Sequence, residues 1–186
     1  MTEETQASWP LEFPKGELLA DIDAMVGAIT ETLVTNLEEG LEGLWLKGSA
    51  AKPWDSPIDY VPELSDVDIH YQIAAEGESR LAGLESAIAL HSEISKRFKA
   101  ARPSAIHTPR PQFVAVADVE VLSDYVPSPP ATVRTLYGDP PPTPTVDHDS
   151  VRLADARRLL EFGDAQFIAK QLTGLVERPG WHLYTA

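Results

Sequence analysis

Asp66 and Asp68 stand two residues apart in Ser65-Asp66-Val67-Asp68-Ile69. In a strand, residues i and i+2 share a face. The spacing therefore sets two carboxylates side by side and turns Val67 and Ile69 into a core. Carboxylates held together in this way repel each other, and a divalent cation relieves the repulsion. Hard oxygen donors suit Mg²⁺ or Mn²⁺. Upstream, the apolar run Leu44-Trp45-Leu46 leads into Lys47-Gly48-Ser49. A glycine at the end of a strand lets a ligand approach the backbone, and the following turn can offer N–H groups to a phosphate. Metal-binding carboxylates beside a phosphate-binding turn suggest chemistry on a nucleoside triphosphate.

A third strand follows further along the chain. The segment Gln112–Leu122 reads as that strand, with Phe113, Ala115, Ala117, Val119 and Val121 on one face and Val114, Val116, Asp118 and Glu120 on the other. Apolar residues on both faces indicate a central strand, with Asp118 and Glu120 at its exposed end. The five histidines show no metal-ligand spacing such as H-x-x-x-H. His70 falls on the Asp66/Asp68 face, where a structural or solvent-facing role is expected. Trp45 reads as core. Trp54 reads as packing against the loop prolines rather than covering a base. Asp147-His148-Asp149 reads as capping and solvation. No Walker A or dinucleotide fingerprint is present.

These residues need elements to position them. Apolar residues from Leu18 to Leu37 recur at helical spacing, which predicts a helix from Pro14 to about Leu41. A strand at Leu44–Leu46, a polar surface loop over 50–64 and a strand at Asp66–Ile73 follow. Ala75–Ser79 reads as a connection, and Leu81, Leu84, Ile88, Ile94 and Phe98 outline a second helix. The proline-rich stretch after residue 126 reads as irregular, with at most a helical turn over Ala131–Tyr137. A last helix is predicted over roughly 151–176, capped by Asp149 or Ser150. The chain thus divides into a loose arm (1–13), an α/β domain with a mixed β-sheet flanked by helices (14–125), a linker (126–149) and a short helical C-terminal segment (150–186).

The order of strand, Gly48-Ser49, loop and Ser65-Asp66-Val67-Asp68 resembles the nucleotidyltransferases of the DNA polymerase β-like superfamily. It looks most like the aminoglycoside adenylyltransferases and the minimal nucleotidyltransferases. The likeness covers about residues 14–122. The loop from Ala50 to Ser65 is longer than the family's usual spacer. The resemblance implies a nucleotidyltransferase fold in which Asp66, Asp68 and Asp118 bind Mg²⁺ or Mn²⁺ and serve catalysis, with Glu120 as the alternative to Asp118. It implies that Gly48 and Ser49 grip the phosphates of ATP, helped by Lys52 and Lys47. The implied reaction moves a nucleoside monophosphate, AMP from ATP, to a hydroxyl of a small molecule or protein and releases pyrophosphate. Two alternatives follow from the same likeness: the antitoxin of a toxin–antitoxin pair, or a domain of this fold that binds nucleotide or a partner without turnover. Only one helix follows the domain, whereas adenylyltransferases that modify antibiotics carry a larger helical segment at the acceptor site. The acceptor site is then incomplete, completed by a second subunit in a homo-oligomer, or lost by truncation.

Composition narrows the partners. The 186 residues include 29 acidic and 15 basic ones, for a net charge of −14. Such a surface repels phosphate backbones, so a nucleic-acid partner is not expected, and a cationic small molecule or a protein is electrostatically easier. The chain has no cysteine, which excludes disulfides and thiolate chemistry. No apolar run approaches a membrane span and the first ten residues do not read as a signal peptide, so a cytoplasmic protein is expected.

Overall fold

The computed structural model describes residues 13–62, 64–81, 83–120, 128, 132–141 and 148–162. Helix α1 (Lys15–Leu37) opens after Pro14 and buries Leu18, Ile22, Met25, Val26, Ile29, Leu33 and Leu37, one stripe at helical spacing. It ends before the expected Leu41, in a turn over Glu38–Gly40 that feeds β1 (Leu41–Lys47). Strand β2 (Asp66–Ile73) has the bounds read from the sequence. Helices α2 (Ala75–Leu81) and α3 (Leu84–Ala101) then lead to β3 (Arg110–Ala115). The stretch expected to be a connection is therefore a short helix, and the second predicted helix begins at Leu84.

Two further expectations are corrected. The strand predicted over Gln112–Leu122 stops at Ala115, and Val116–Glu120 forms the short helix α4. The helical turn predicted over Ala131–Tyr137 is instead a strand, β4 (Arg134–Gly138), lying within the segment read as a linker. Helix α5 (His148–Phe162) carries Leu153, Leu159 and Leu160 exposed. The predicted continuation over 163–176 lies outside the described residues, as do the arm residues 1–12 and Asp147.

The four strands form one mixed sheet in the order β3-β2-β1-β4. β1 runs antiparallel to both β2 and β4, and β3 runs parallel to β2. The sheet is thus mixed and flanked by helices, as the sequence led one to expect. Leu44 and Leu46 of β1 and Val67 and Ile69 of β2 are fully buried in one cluster with the α1 stripe and with Ile94 and Phe98 of α3. Each such side chain contributes about 1.5–3 kcal/mol through burial. Among the described residues no helix is long and apolar enough to cross a membrane.

One buried charge sets where β3 begins. Asp21 on α1 is fully buried. Its carboxylate accepts a hydrogen bond from Arg102 Nε at 2.7 Å and others from the backbone N–H groups of Ile106 and His107 at 3.0 and 3.1 Å. These bonds compensate its desolvation and fasten the loop after α3 to α1. The chain leaves that loop directly into Arg110, the first residue of β3.

Candidate functional site

Residues facing each other across paired strands share a face. The register sets Lys47 opposite Asp68 and Trp45 opposite His70 on β1, and Arg110 opposite Asp66 and Gln112 opposite Asp68 on β3. Asp66, Asp68, His70, Lys47, Trp45, Arg110 and Gln112 therefore occupy the sheet face away from α1 and α3. Asp66 and Asp68 lie toward the start of β2, at the end of the sheet where β1 runs out into Gly48.

Gly48 touches the second of these acids, Asp68. Its φ of +72° and ψ of −156° lie in a region reserved for glycine. A Cβ placed there would lie 2.0 Å from Oδ2 of Asp68. The backbone thus meets the carboxylate so closely that no side chain can stand between them. Ser49–Ala51 follow as one tight turn, and Lys52 comes after it, exposed.

Electrostatics distinguishes the two acids. Burial, and then the charge of Asp66, pushes the Asp68 carboxyl above its ordinary value. Asp66 is paired with Arg110, whose Nη2 lies 3.0 Å from Oδ1 and donates to the carbonyl of Leu64 at 2.8 Å. Lys47 is 7% exposed. Burial, and then the Lys47 charge, lowers the His70 pKa to about 4, so its ring is neutral near pH 7. Among the described residues, His70 Nδ1 is buried without a partner.

The loop after the turn is not the open surface loop expected. Trp54 is 3% exposed and Tyr60 is fully buried. Their rings stack at 4.8 Å; Phe13 meets Trp54 edge-on, and His107 meets Tyr60 edge-on with Nε2 3.2 Å from the hydroxyl. Trp54 Nε1 donates to the carbonyl of Ser49 at 2.9 Å, and Lys15 Nζ donates to the carbonyl of Trp54. Trp54 thus packs on Tyr60 and Phe13. The Asp59 carboxylate accepts the N–H groups of Asp55 and Ser56, at 2.7 Å each, and these bonds lower its pKa, Ser56 most strongly. A turn that faces the carboxylates is therefore anchored from behind by an aromatic ladder.

Asp118 does not join Asp66 and Asp68. It lies on α4, beyond the end of β3, around a depression it shares with Tyr71, Glu78 and Ala115. Tyr71 is three residues past Asp68, about 10 Å along the strand. Glu120, on the same short helix, is exposed. On β3 the positions level with Asp66 and Asp68 hold Arg110 and Gln112, not a carboxylate. Among the described residues no group of three or more His, Asp or Glu is arranged to hold a metal ion. Two carboxylates remain, and one of them, Asp68, is half-buried and raised in pKa by burial and then by the charge of Asp66. That donor set fits Mg²⁺ or Mn²⁺ of the kind held by one or two carboxylates with phosphates completing the shell.

Sequence reasoning singled out neither Arg110 nor Tyr60. A signal for Arg110 was present, since it opens the apolar strand after α3; its partner is settled by strand register alone. Comparisons with protein-family models, with curated proteins and with solved structures find no match to this chain. Fold and site together describe a domain with a four-stranded mixed sheet, bearing an acid pair against a glycine turn at one sheet end.

Proposed function

We propose that the chain is a metal-dependent nucleotidyltransferase that binds a nucleoside triphosphate, ATP in the simplest case, at Gly48-Ser49 and Asp66/Asp68. The contact of Gly48 with Asp68 carries this reading, since it sets the bare backbone of a glycine turn against a pair of carboxylates of the kind that bind a cation. Asp66 and Asp68 would hold Mg²⁺ or Mn²⁺, which when bound neutralises triphosphate charge and orients it for in-line displacement. Gly48 keeps a side chain out from between the turn and Asp68, and the turn, fixed by Trp54, has the backbone N–H groups of Ser49 and Ala50 to offer a phosphate, that of Ala51 being bonded to the Gly48 carbonyl at 3.2 Å. Lys52 stands next to that turn. In the reaction, the acceptor oxygen bonds to the α-phosphorus as the bond to the pyrophosphate oxygen breaks. The acceptor, a small molecule or a protein, gives up its hydroxyl proton to solvent, and pyrophosphate leaves. The net charge of −14 favours a cationic acceptor over a nucleic acid.

The Asp66–Arg110 pair, and the lack of a β3 carboxylate level with Asp68, favour a second reading: a domain of this architecture that binds nucleotide without turnover. Calorimetry with Mg²⁺-ATP tests the binding common to both. Asp66→Asn with Asp68→Asn is expected to abolish it while the fold persists, and unchanged affinity refutes the site. Pyrophosphate release by the wild type separates the two readings.

A further inference from the structure

Arg110 is the cation paired with Asp66, and it is held loosely. Both of its described contacts, to Asp66 Oδ1 and to the Leu64 carbonyl, use the same nitrogen, Nη2. Its side chain is half exposed and that of Asp66 about one-third exposed. Ion pairs this open contribute little to stability, up to about 1 kcal/mol. Arg102 is held differently: its partner Asp21 is fully buried and also fixed by two backbone N–H groups. One arginine thus fastens the fold, and the other sits on the site with its remaining N–H groups unbonded among the described residues.

A divalent cation on Asp66 competes with that guanidinium, because both are drawn to the same carboxylate and repel each other. Once a cation joins Asp66 to a phosphate, the phosphate oxygen lies within about 4 Å of the carboxylate oxygen, given metal–oxygen bonds of about 2 Å. Arg110 then stands beside it, and a guanidinium binds phosphate oxygens in its planar fork. We propose that Arg110 is a displaceable counter-ion. It neutralises Asp66 in the empty site, yields that carboxylate to the cation, and turns to the triphosphate. The inference rests on the nucleotide-site reading above and adds to it a residue with opposite effects on metal and nucleotide.

The test titrates Mn²⁺ alone into the full chain by electron paramagnetic resonance, and then ATP at saturating Mn²⁺ by calorimetry. Arg110→Gln, at an exposed position, is expected to bind Mn²⁺ about fivefold more tightly and ATP about fivefold more weakly than wild type, the scale of an exposed charge pair. Arg110→Lys, which keeps the charge but not the fork, is expected to hold wild-type Mn²⁺ affinity and lose ATP affinity. Unchanged or weaker Mn²⁺ binding in Arg110→Gln, or unchanged ATP binding, overturns the proposal. If wild type binds Mn²⁺-ATP and the Arg110 variants match it, the counter-ion role fails and the nucleotide site stands. If wild type binds neither, both fail.

Discussion

At the start of β2, Asp66 and Asp68 are hemmed in by Arg110 on one neighbouring strand, Lys47 on the other and Gly48 in front. Near the end of the same strand, Asp118 and Glu78 surround Tyr71 in an open depression. Both ends carry two acids. At the first end each acid has a strand neighbour of opposite charge, a rigid turn lies against it, and an aromatic ladder backs the turn. At the second the acids sit on short helices, α4 and α2. Acid content alone therefore does not make a site. Register and a backbone that cannot retreat do.

The sharpest way to break this contrast is at Gly48. Gly48→Ala combines backbone strain with a Cβ 2.0 Å from Asp68 Oδ2. Gly83, between α2 and α3, has a comparable φ of +97°, yet a Cβ there would meet nothing within 4 Å. Gly83→Ala thus reports strain alone, about 1–3 kcal/mol. Gly48→Ala is expected to cost at least as much in chemical denaturation and also to abolish Mg²⁺-ATP binding, while Gly83→Ala binds normally. Equal binding in the two variants would mean that the Gly48–Asp68 contact is irrelevant to ligand.

A smaller effect probes the ladder behind the turn. Burial pushes the Tyr60 hydroxyl up to about 12, with Asp66 adding to the rise and Arg110 opposing it. The folded value exceeds the unfolded value near 10. The stabilisation from keeping Tyr60 neutral is thus complete below pH 10 and lost as pH rises from 10 through 12. Urea denaturation at pH 9 and near 12 should show wild type losing about 2 kcal/mol from this group. Tyr60→Phe should lose much less, keeping only what Tyr71, also raised by burial and then by Asp118, contributes. An identical alkaline loss in Tyr60→Phe would place the titration elsewhere.

These two tests fall on opposite sides of what the sequence discloses. The α1 stripe, the bounds of β2 and the shared face of Asp66 and Asp68 follow from local periodicity, which a chain displays residue by residue. The Tyr60–His107 and Asp66–Arg110 contacts join residues far apart in the chain, and local periodicity does not determine such pairings. The end of β3 was misread for a different reason. Val116 and Val119 continue the alternation of a strand but also satisfy the i, i+3 spacing of a helix turn, and short apolar segments do not separate the two. β4 was hidden among prolines, which such a short strand at the sheet edge tolerates on either side.

The smallest expected effect belongs to the residue for which the sequence suggested one of the largest. If Asp118 acted on the acceptor hydroxyl, removing its charge would lower transfer roughly 10²–10⁴-fold with nucleotide binding retained. Its position argues otherwise. Asp118 stands past the end of β3, level with or beyond Tyr71, and so about 10 Å along β2 from Asp68. Proton transfer requires heavy atoms about 2.6–3.2 Å apart, or one bridging water. Asp118→Asn is therefore expected to leave both Mg²⁺-ATP affinity and pyrophosphate release within about twofold of wild type, since an exposed surface charge at this distance is largely screened. Its one local consequence should be a slightly lower Tyr71 pKa, because the Asp118 charge helps to raise it. Pyrophosphate release at saturating ATP decides the matter. A hundredfold loss in Asp118→Asn would require α4 to swing toward Asp68 when ligand binds, and the open end of β2 would then belong to the site rather than stand in contrast to it.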